Sequence, residues 1–324
     1  MTRLIVDDRY QGQHGIGRYA AETLSRLTQP WSPLGGGGSP TSLRDVTNGT
    51  RRGLQPADVL YSPGYAVGPS PAFQVPTVHD LIHIRQPRAA KGLAHQIYYE
   101  RVLKPTIRKS RHVLTVSETT ANDLRVWLRD DSVVIHNAGN GCSPAFDRAG
   151  PVYQHGRPYA LFVGNFKPHK NPALAFAAIK RFPDLALVVV SSDSGSAKAL
   201  ATEQKIDDRV TVLSGVDDES LASIYRGAEV LLFPSIMEGF GLPVVESLRC
   251  GTPVVHLSAC ASVVEICGAT QFGVSDPNDV PSFSDAIELA MHTPFRAPPL
   301  EDYTWDRVAS SVDVVLSRIL KERA

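Results

Sequence analysis

Two glutamates, Glu238 and Glu246, stand on either side of a glycine-rich segment in the second half of the chain. The segment reads Glu-Gly-Phe-Gly-Leu-Pro-Val-Val-Glu and follows a strand-like apolar run at residues 230–234. Carboxylates accept hydrogen bonds from hydroxyl groups, whereas backbone amides between them can bind an anion. The pattern therefore combines two hydroxyl acceptors with a candidate anion site.

A helix is predicted to begin inside this segment, close to Gly241. Pro243 suits the first turn of a helix and Gly251 suits its C-terminal stop. The amides at the helix start and the positive end of the helix dipole favour a phosphate, and Gly239 and Gly241 have no side chains to keep it away. A phosphate between two hydroxyl acceptors suggests a nucleotide sugar. The alternative is a helix whose glycines only allow close packing and whose glutamates are solvated.

A basic loop follows the predicted strand at 160–164. It runs Asn165-Phe-Lys-Pro-His-Lys170-Asn171 and opens a predicted helix. Lys170 could place a fixed positive charge on a diphosphate, since the departure of a nucleoside diphosphate builds negative charge. An exposed basic loop with no ligand is the alternative.

Glycines also follow the first predicted strand, in the segment from Asp8 to Tyr19. Gly15 and Gly17 would let the backbone approach a ligand, and Arg18 follows them directly. A lone Gly-x-Gly is weak support for a site. The third glycine of a dinucleotide fingerprint is missing, which argues against a nicotinamide oxidoreductase.

The predicted strand at 77–79 ends in His79 and is followed by Asp80. Ligands of parallel sheets lie at the carboxyl ends of strands, so both side chains are candidates for a site. A single histidine in such a place is more often structural. Ser117 follows the predicted strand at 113–116, where it suits the N-cap of a helix equally well.

Short runs rich in β-branched residues alternate with helix-length segments along the whole chain. Such strands indicate buried parallel sheets of the doubly wound α/β class. The predicted strands lie at 4–6, 59–62, 77–79, 113–116 and 133–136, and then at 160–164, 185–190, 210–213, 230–234 and 253–257. Each half of the chain is therefore expected to form one Rossmann-like sheet.

The 324 residues are enough for two domains. A polar stretch rich in proline and glycine, residues 143–158, places the boundary at 150/151. The predicted domains are 1–150 and 151–304, followed by an amphipathic helix within 305–324 that packs back on the first domain. Residues 30–53, which contain Gly35 to Gly38 and show no apolar period, are interpreted as a flexible loop.

Charge divides unevenly between the halves. Residues 1–150 hold 18 basic and 12 acidic residues, and the rest hold 15 and 21. The basic half could face anionic lipid or a lipid-phosphate acceptor, or it could be a solvated helix face. No secretory signal or long apolar run is found, which predicts a cytoplasmic protein, alone or bound peripherally to the inner face of the membrane. The four scattered cysteines are interpreted as buried thiols.

The segment from Glu238 to Glu246 resembles the signature of retaining glycosyltransferases with the GT-B fold, in particular the large family 4 that includes bacterial mannosyl- and glucosyltransferases. The resemblance extends from residue 1 to about residue 280. It implies that Glu238 contacts the donor sugar, that Glu246 contacts the ribose, and that the amides of Gly239, Phe240, Gly241 and Leu242 hold the distal phosphate and the sugar.

The resemblance assigns further donor contacts to Lys170, Asn165, Gly15 and Gly17. Many family members carry Arg where this chain has Asn165, so the usual Arg/Lys pair is incomplete, and Lys167 or Arg18 could compensate. His79 corresponds to a histidine that contacts the transferred sugar. Asp80, Arg18 and Ser117 are the acceptor-side candidates. The implied catalytic residues are His79, Glu238 and Lys170.

The implied reaction retains the anomeric configuration and takes place between two domains, with the donor on the second and the acceptor on the first. The acceptor would be a glycan or a lipid-linked hydroxyl. Because the chain lacks the Asp-x-Asp triplet of the other main glycosyltransferase fold, neither a metal nor another cofactor is expected. Likeness to members that build surface polysaccharides favours GDP-mannose as the donor, and no nucleic acid partner is expected.

Two other functions stay open at this stage. A sugar-nucleotide epimerase of similar fold would change the donor sugar without an acceptor. A non-catalytic partner subunit would bind a nucleotide sugar without transferring it, and Asn165 in place of Arg raises that alternative.

Overall fold

The computed structural model describes residues 2–10, 12, 15–36, 40, 45, 49–85 and 89–324. The chain forms two compact units: unit 1 contains residues 1–141 and 302–324, and unit 2 contains residues 142–301. From the sequence, the two boundaries between these units were predicted at 150/151 and at 304/305. Among the described residues, every helix is too short or too polar to span a membrane.

Unit 1 is built on a six-stranded parallel sheet with the order β2-β1-β3-β4-β5-β6. Its strands are β1 Leu4–Val6, β2 Trp31–Pro33, β3 Val59–Ser62, β4 Phe73–Val78, β5 His112–Thr115 and β6 Val134–Asn137. Its helices are α1 Gly15–Leu24, α2 Ile82–Arg85, α3 Ala89–Tyr98, α4 Lys104–Ser110, α5 Glu118–Leu128 and, after unit 2, α12 Trp305–Arg323. A π-helical turn at Tyr99–Leu103 joins α3 to α4, and Gly49–Gly53 forms a 3-10 turn.

The last helix, α12, is part of the core of unit 1. Val312, Leu316 and Ile319 are spaced by three and four residues, so they share one face, and all three are buried against the sheet. Thr304 caps this helix by accepting a hydrogen bond from the amide of Arg307.

Unit 2 contains a second six-stranded parallel sheet, with the order β12-β11-β10-β7-β8-β9. Its strands are β7 Tyr159–Val163, β8 Ala186–Val190, β9 Val210–Leu213, β10 Val230–Phe233, β11 Val254–Leu257 and β12 Phe272–Val274. Its helices are α6 Pro172–Ile179, α7 Ser194–Gln204, α8 Asp218–Gly227, α9 Leu242–Arg249, α10 Ala261–Cys267 and α11 Val280–His292, with 3-10 turns at Pro168–Lys170 and Asp207–Arg209.

The two doubly wound sheets confirm the predicted fold class, and all ten predicted strands occur. The edge strands β2 and β12 were not predicted because their sequences, Trp-Ser-Pro and Phe-Gly-Val, contain no continuous β-branched run. The strand predicted at 77–79 starts earlier, at Phe73. Its first part was missed because Pro76 interrupts the apolar run and proline is unusual inside a sheet. The four cysteines are buried thiols, as predicted.

The interpretation of residues 30–53 as one flexible loop is wrong in its described parts. Trp31–Pro33 is a strand that pairs in parallel with β1, and Gly49–Gly53 is a 3-10 turn. Asp45 and Arg51 are buried in an ion-pair network. Positions 37–39, 41–44 and 46–48 lie outside the described residues.

Candidate active site

The best-defined polar cluster of unit 2 lies where the strand order reverses. Strands β7 and β10 are neighbours at the centre of the sheet, and the chain proceeds from them toward opposite edges. In doubly wound sheets this reversal opens a crevice at the carboxyl ends of the strands, where ligands bind. Lys170 follows β7 and Glu238 follows β10, so the fold brings the two predicted residues together from 68 positions apart in the sequence.

Lys170 and Glu238 form a direct ion pair. The Nζ atom of Lys170 lies 2.6 Å from Oε1 of Glu238, with side-chain exposures of 17% and 11%. The same ammonium lies 5.8 Å from the centre of the Phe233 ring. A backbone hydrogen bond of 2.8 Å, from the amide of Ile236 to the carbonyl of His169, ties the two loops together. The positive charge is therefore held at the crevice but still reaches solvent.

The glycine segment positions the start of α9. Gly241 is the N-cap and has φ +122°, a conformation that residues with a Cβ rarely adopt. A Cβ there would also lie 3.3 Å from Cγ2 of Val263. Ser262 donates a hydrogen bond of 3.0 Å to the carbonyl oxygen of Glu238, which fixes the other end of the loop. The helix starts at Leu242, as predicted, with Pro243 in its first turn.

Glu246 lies one turn inside α9 and is only 4% exposed. Its Oε2 atom accepts a hydrogen bond of 3.0 Å from the hydroxyl of Tyr225 on α8. Burial, followed by the charge of Glu246, holds the pKa of Tyr225 well above its usual value of 10, so the hydroxyl stays protonated and donates. Sequence reasoning missed Tyr225, because a tyrosine inside an amphipathic helix has the pattern of a core residue.

The side chain of Asn165 is hydrogen-bonded within its own loop. Its side-chain oxygen accepts a hydrogen bond of 3.2 Å from the amide of Lys167, and the Lys167 side chain is exposed. This position therefore supplies a loop-stabilising amide and no cation. Phe240 is buried, so its side chain packs inside the unit.

In unit 1, His79 ends the buried run of β4 beside the end of β3. Its Nε2 atom lies 2.8 Å from the carbonyl oxygen of Pro63. A carbonyl can only accept, so Nε2 carries the hydrogen and donates. Burial lowers the pKa of His79, and its ring packs edge-on against Tyr19 at 4.8 Å between centroids. The imidazole is therefore neutral near pH 7, with Nδ1 as its acceptor nitrogen.

Asp80 and Ser117 make local backbone contacts. Asp80 accepts a hydrogen bond of 2.9 Å from the amide of Ile82. Ser117 is the N-cap of α5 and accepts one of 3.0 Å from the amide of Thr120. The Thr120 hydroxyl in turn donates to the carbonyl oxygen of His79 at 3.2 Å. These contacts link the end of β4 to the start of α5.

The remaining predicted residues of unit 1 lie in the first helix. Gly15 is exposed at the start of α1, Gly17 is buried and Arg18 is half-buried. A Cβ at Gly15 would meet nothing within 4 Å, so packing does not require glycine there. Residues 11, 13 and 14 of the preceding loop lie outside the described residues.

A buried ion-pair network at the end of β1 was not predicted. Both carboxylate oxygens of Asp7 accept hydrogen bonds of 2.7 Å from Arg9, and Asp45 bonds both Arg9 and Arg51. Two acids and two arginines balance in charge, which makes their burial tolerable. Because 36 residues separate Arg9 from Asp45, spacing alone gave no signal of this network.

Within the described ranges, no group of three or more His, Cys, Asp or Glu side chains could hold a metal ion.

Comparison with known proteins relates this geometry to a family. Residues 145–303, nearly all of unit 2, match the sequence model of the family described as glycosyl transferases group 1. The D-inositol 3-phosphate glycosyltransferase of Mycolicibacterium smegmatis is 31% identical over 169 residues, which is 48% of this chain and 38% of that protein. The O-antigen chain mannosyltransferase RfbU of Salmonella typhimurium is 31% identical over 189 residues, which is 56% of this chain and 51% of that protein. The chain thus spans about half or less of the length of these relatives.

Solved structures extend the likeness of the fold to unit 1 as well. Sucrose-phosphate synthase from Thermosynechococcus elongatus matches with a TM-score of 0.73 and 18% identity, covering 99% of each chain. Anabaena HepE, solved with UDP-glucose, matches with a TM-score of 0.65 and 15% identity, covering 100% of this chain and 98% of its own. Together the matches show that residues 145–303 are similar to glycosyl transferases group 1 and that the chain has the GT-B fold.

Proposed function

We propose that this chain is a retaining glycosyltransferase that moves a hexose from a nucleoside-diphosphate sugar to a hydroxyl group of a glycan or lipid-linked acceptor. The observation that carries the proposal is the Lys170–Glu238 ion pair at the switch point of the second sheet, beside the glycine-capped start of α9. It puts a cation, a helix N-terminus and a carboxylate at the edge where a doubly wound sheet binds ligands.

The leaving diphosphate is the group that Lys170 serves in this proposal. As the bond between the anomeric carbon and the phosphate oxygen breaks, negative charge grows on that oxygen. A fixed ammonium and the amides at the start of α9 stabilise this charge more than they stabilise the bound donor, and that difference lowers the barrier. Lys170 must exchange part of its contact with Glu238 for the phosphate, which its 17% exposure allows.

Glu238 and Glu246 then act on the two sugars of the donor. Glu238 accepts hydrogen bonds from hydroxyls of the transferred sugar, and Glu246 accepts them from the ribose. Tyr225 holds one oxygen of Glu246 and so acts as a positioning residue for the other. The buried Tyr225 contact supports this role, because it fixes a carboxylate that would otherwise rotate at little cost.

Unit 1 supplies the acceptor side in this proposal. Neutral His79 can accept a hydrogen bond at Nδ1 from a hydroxyl of the transferred sugar, since Pro63 occupies Nε2. The acceptor oxygen attacks the anomeric carbon from the face that the diphosphate leaves, and its proton passes to a phosphate oxygen. That path forms one carbon–oxygen bond as another breaks and retains the configuration.

Mannose carried on GDP is the proposed donor. The likeness to the O-antigen chain mannosyltransferases of Escherichia coli and Salmonella typhimurium supports the sugar. HepE was solved with UDP-glucose, which makes UDP-sugars the first donors to compare. No metal takes part in the proposed reaction, so Lys170 and the amides of the glycine segment offset the diphosphate charge.

The test is an acceptor-dependent transfer assay with radiolabelled GDP-mannose, UDP-glucose and dTDP-glucose, with and without EDTA. We expect product only when an acceptor glycan is present, an unchanged rate in EDTA, and an α-linkage from an α-configured donor by NMR. A changed sugar without acceptor would identify an epimerase. Donor binding without transfer to any acceptor would identify a non-catalytic partner subunit, the alternative that Asn165 in place of Arg suggests. Inversion at the anomeric carbon would contradict the proposed mechanism.

A further inference from the structure

The imidazole of His79 is held by packing as well as by its hydrogen bond. The bond from Nε2 to the carbonyl of Pro63 fixes one ring atom. The ring of Tyr19 meets the imidazole at 4.8 Å between centroids and at an interplanar angle of 88°. A hydrogen bond at one nitrogen leaves the ring free to tilt about that contact. Because the lone pair of Nδ1 lies in the plane of the ring, the edge-on contact with Tyr19 determines where this acceptor points.

Tyr19 is itself packed against the last helix of the chain. It belongs to the buried face of α1 and is 0% exposed. Burial holds the pKa of its hydroxyl well above 10, so the side chain carries no charge near neutral pH. The indole of Trp305 lies 6.2 Å from the Tyr19 ring between centroids, at an interplanar angle of 73°. His79, Tyr19 and Trp305 thus form a buried aromatic cluster that joins the end of β4, through α1, to the first residue of α12.

Trp305 occupies a place that requires glycine at position 141. A Cβ at Gly141 would lie 2.5 Å from Cδ2 of the indole and 2.7 Å from the backbone nitrogen of Trp305. The indole is 2% exposed, and Thr304 caps the helix directly before it. Among the described residues, its Nε1 atom has no hydrogen-bond partner. Since an unpaired buried N–H group costs stability, the contacts with Gly141 and Tyr19 explain the indole better than hydrogen bonding does.

We propose that Tyr19 and Trp305 are positioning residues for His79. Trp305 holds Tyr19 against the imidazole, and Tyr19 sets the direction of Nδ1 toward a hydroxyl of the transferred sugar. His79 acts here in the role given to it above, so this inference rests on the proposed function. It adds that the helix which returns to unit 1 after unit 2 contributes to the acceptor side through two rings that touch no substrate.

A purely structural role for the two rings is the alternative, because both are buried. Burial lowers the pKa of His79, whereas the carbonyl of Pro63 and the charge of Asp80 act in the opposite direction. If Tyr19 orients and shields the imidazole, its removal lets the ring rotate and lets water approach. Both neutral tautomers should then form, and the pKa of His79 should rise toward 6.5. A structural role would lower the melting temperature and leave the tautomer unchanged.

The test is NMR of the full chain labelled with 15N-histidine, in which the signals of His79 are assigned by comparison with His79→Gln. We expect the wild type to carry hydrogen on Nε2 and to have a His79 pKa below 6.5. Tyr19→Leu and Trp305→Leu should show mixed tautomers and a higher pKa. Their kcat should fall about fivefold with little change in the donor KM, as for the loss of one aromatic contact. Tyr19→Phe retains the ring and should match the wild type.

Leu316→Ala is the matched control for a loss of packing. Leu316 lies on the buried face of the same helix, about three turns beyond Trp305. The control should lower the melting temperature but keep the tautomer and pKa of His79 and the wild-type kcat. Trp305→Phe leaves a smaller ring in the core and should change the tautomer less than Trp305→Leu, and it serves if the leucine variant does not fold.

Wild-type tautomer and pKa in both leucine variants, or equal changes in Leu316→Ala, would overturn the proposal. The NMR measurement needs neither donor nor acceptor. It can therefore be read even if the chain transfers no sugar, so the failure of the positioning role can be told from the failure of the proposed function.

Discussion

The candidate residues of the two units are held in different ways. In unit 2 the two candidate carboxylates contact other side chains, Glu238 with Lys170 and Glu246 with Tyr225. In unit 1 the side chains of His79, Asp80 and Ser117 are hydrogen-bonded to backbone groups of Pro63, Ile82 and Thr120. Unit 2 therefore presents a preorganised cluster of charges, whereas unit 1 presents groups that also stabilise their own loops.

This difference indicates how the two units should respond to amino-acid substitutions. A charge cluster that joins two separate loops does little for the stability of either loop alone, and an ion pair that still reaches solvent contributes little to folding. Caps and backbone contacts, by contrast, each stabilise the fold by about 1 kcal/mol. Substitutions in unit 2 should hence affect the reaction, and those in unit 1 should affect stability as well.

The largest expected effect comes from Lys170→Ala. In the proposed mechanism this variant removes the cation that offsets charge on the leaving diphosphate, so kcat/KM should fall by about 100- to 1000-fold, as for the loss of one preorganised electrostatic contact. The melting temperature should change little. Lys180→Ala, at the exposed end of α6, should retain wild-type kinetics. A fall of less than fivefold for Lys170→Ala would remove Lys170 from the mechanism.

Tyr225→Phe should have the next largest effect. It keeps the buried ring but removes the hydrogen bond to Glu246, so KM for the donor should rise about tenfold with kcat nearly unchanged. The matched control is Tyr159→Phe, which removes a 2.7 Å hydrogen bond from another buried tyrosine to the carbonyl of Ile224. The control should lose stability only. Equal KM effects in both variants would show that Tyr225 acts through folding alone.

Ser117→Ala tests the acceptor half. Loss of the N-cap of α5 should lower the free energy of unfolding by about 1 kcal/mol, measured by urea denaturation, and leave donor affinity unchanged. Ser310→Ala, on the exposed side of α12, should be neutral. Weaker donor binding without a loss of stability would contradict the contrast drawn between the two units.

The smallest expected effect is pH-dependent and lies away from both candidate sites. Nε2 of His136 lies 3.0 Å from Nδ1 of His112, and burial, followed by the charge of His112, lowers the pKa of His136 to about 4. Because the pKa in the folded state is below the ordinary 6.5, the folded state resists protonation. The contribution of neutral His136 to the stability of the fold is then fully present above pH 6.5 and is lost as the pH falls toward 4.

His136→Gln should reduce this acid sensitivity. Between pH 7 and pH 4.5 the melting temperature of the variant should fall by about 3 °C less than that of the wild type. This difference corresponds to about 1 kcal/mol of unfolding free energy, after allowance for solvent screening. His292→Gln, on the exposed end of α11, is the control and should follow the wild type. Parallel melting curves for all three proteins would exclude the histidine pair as a source of acid sensitivity.

The sequence was informative where the signal is local. The proline and glycine around Gly241 predicted the start of α9, and β-branched runs predicted ten strands. The sequence could not show that Lys170 contacts Glu238, because that contact depends on β7 and β10 being neighbours in the sheet. Tyr225 and the Asp7–Arg9–Asp45–Arg51 network escaped prediction for the same reason, since each joins distant segments. The candidate residues could thus be chosen by type, but their contact partners could be found only from the fold.

The most direct test of the central claim is a thermal-shift titration of GDP-, UDP- and dTDP-sugars against the wild type, Glu238→Ala, Glu246→Gln and Lys170→Ala. We expect at least one nucleotide sugar to stabilise the wild type, by about 2.7 kcal/mol at a ligand concentration 100 times Kd. Each variant should need at least tenfold more ligand for the same shift. If no nucleotide sugar stabilises the wild type, or if the variants respond as it does, then Glu238, Glu246 and Lys170 do not form a donor site.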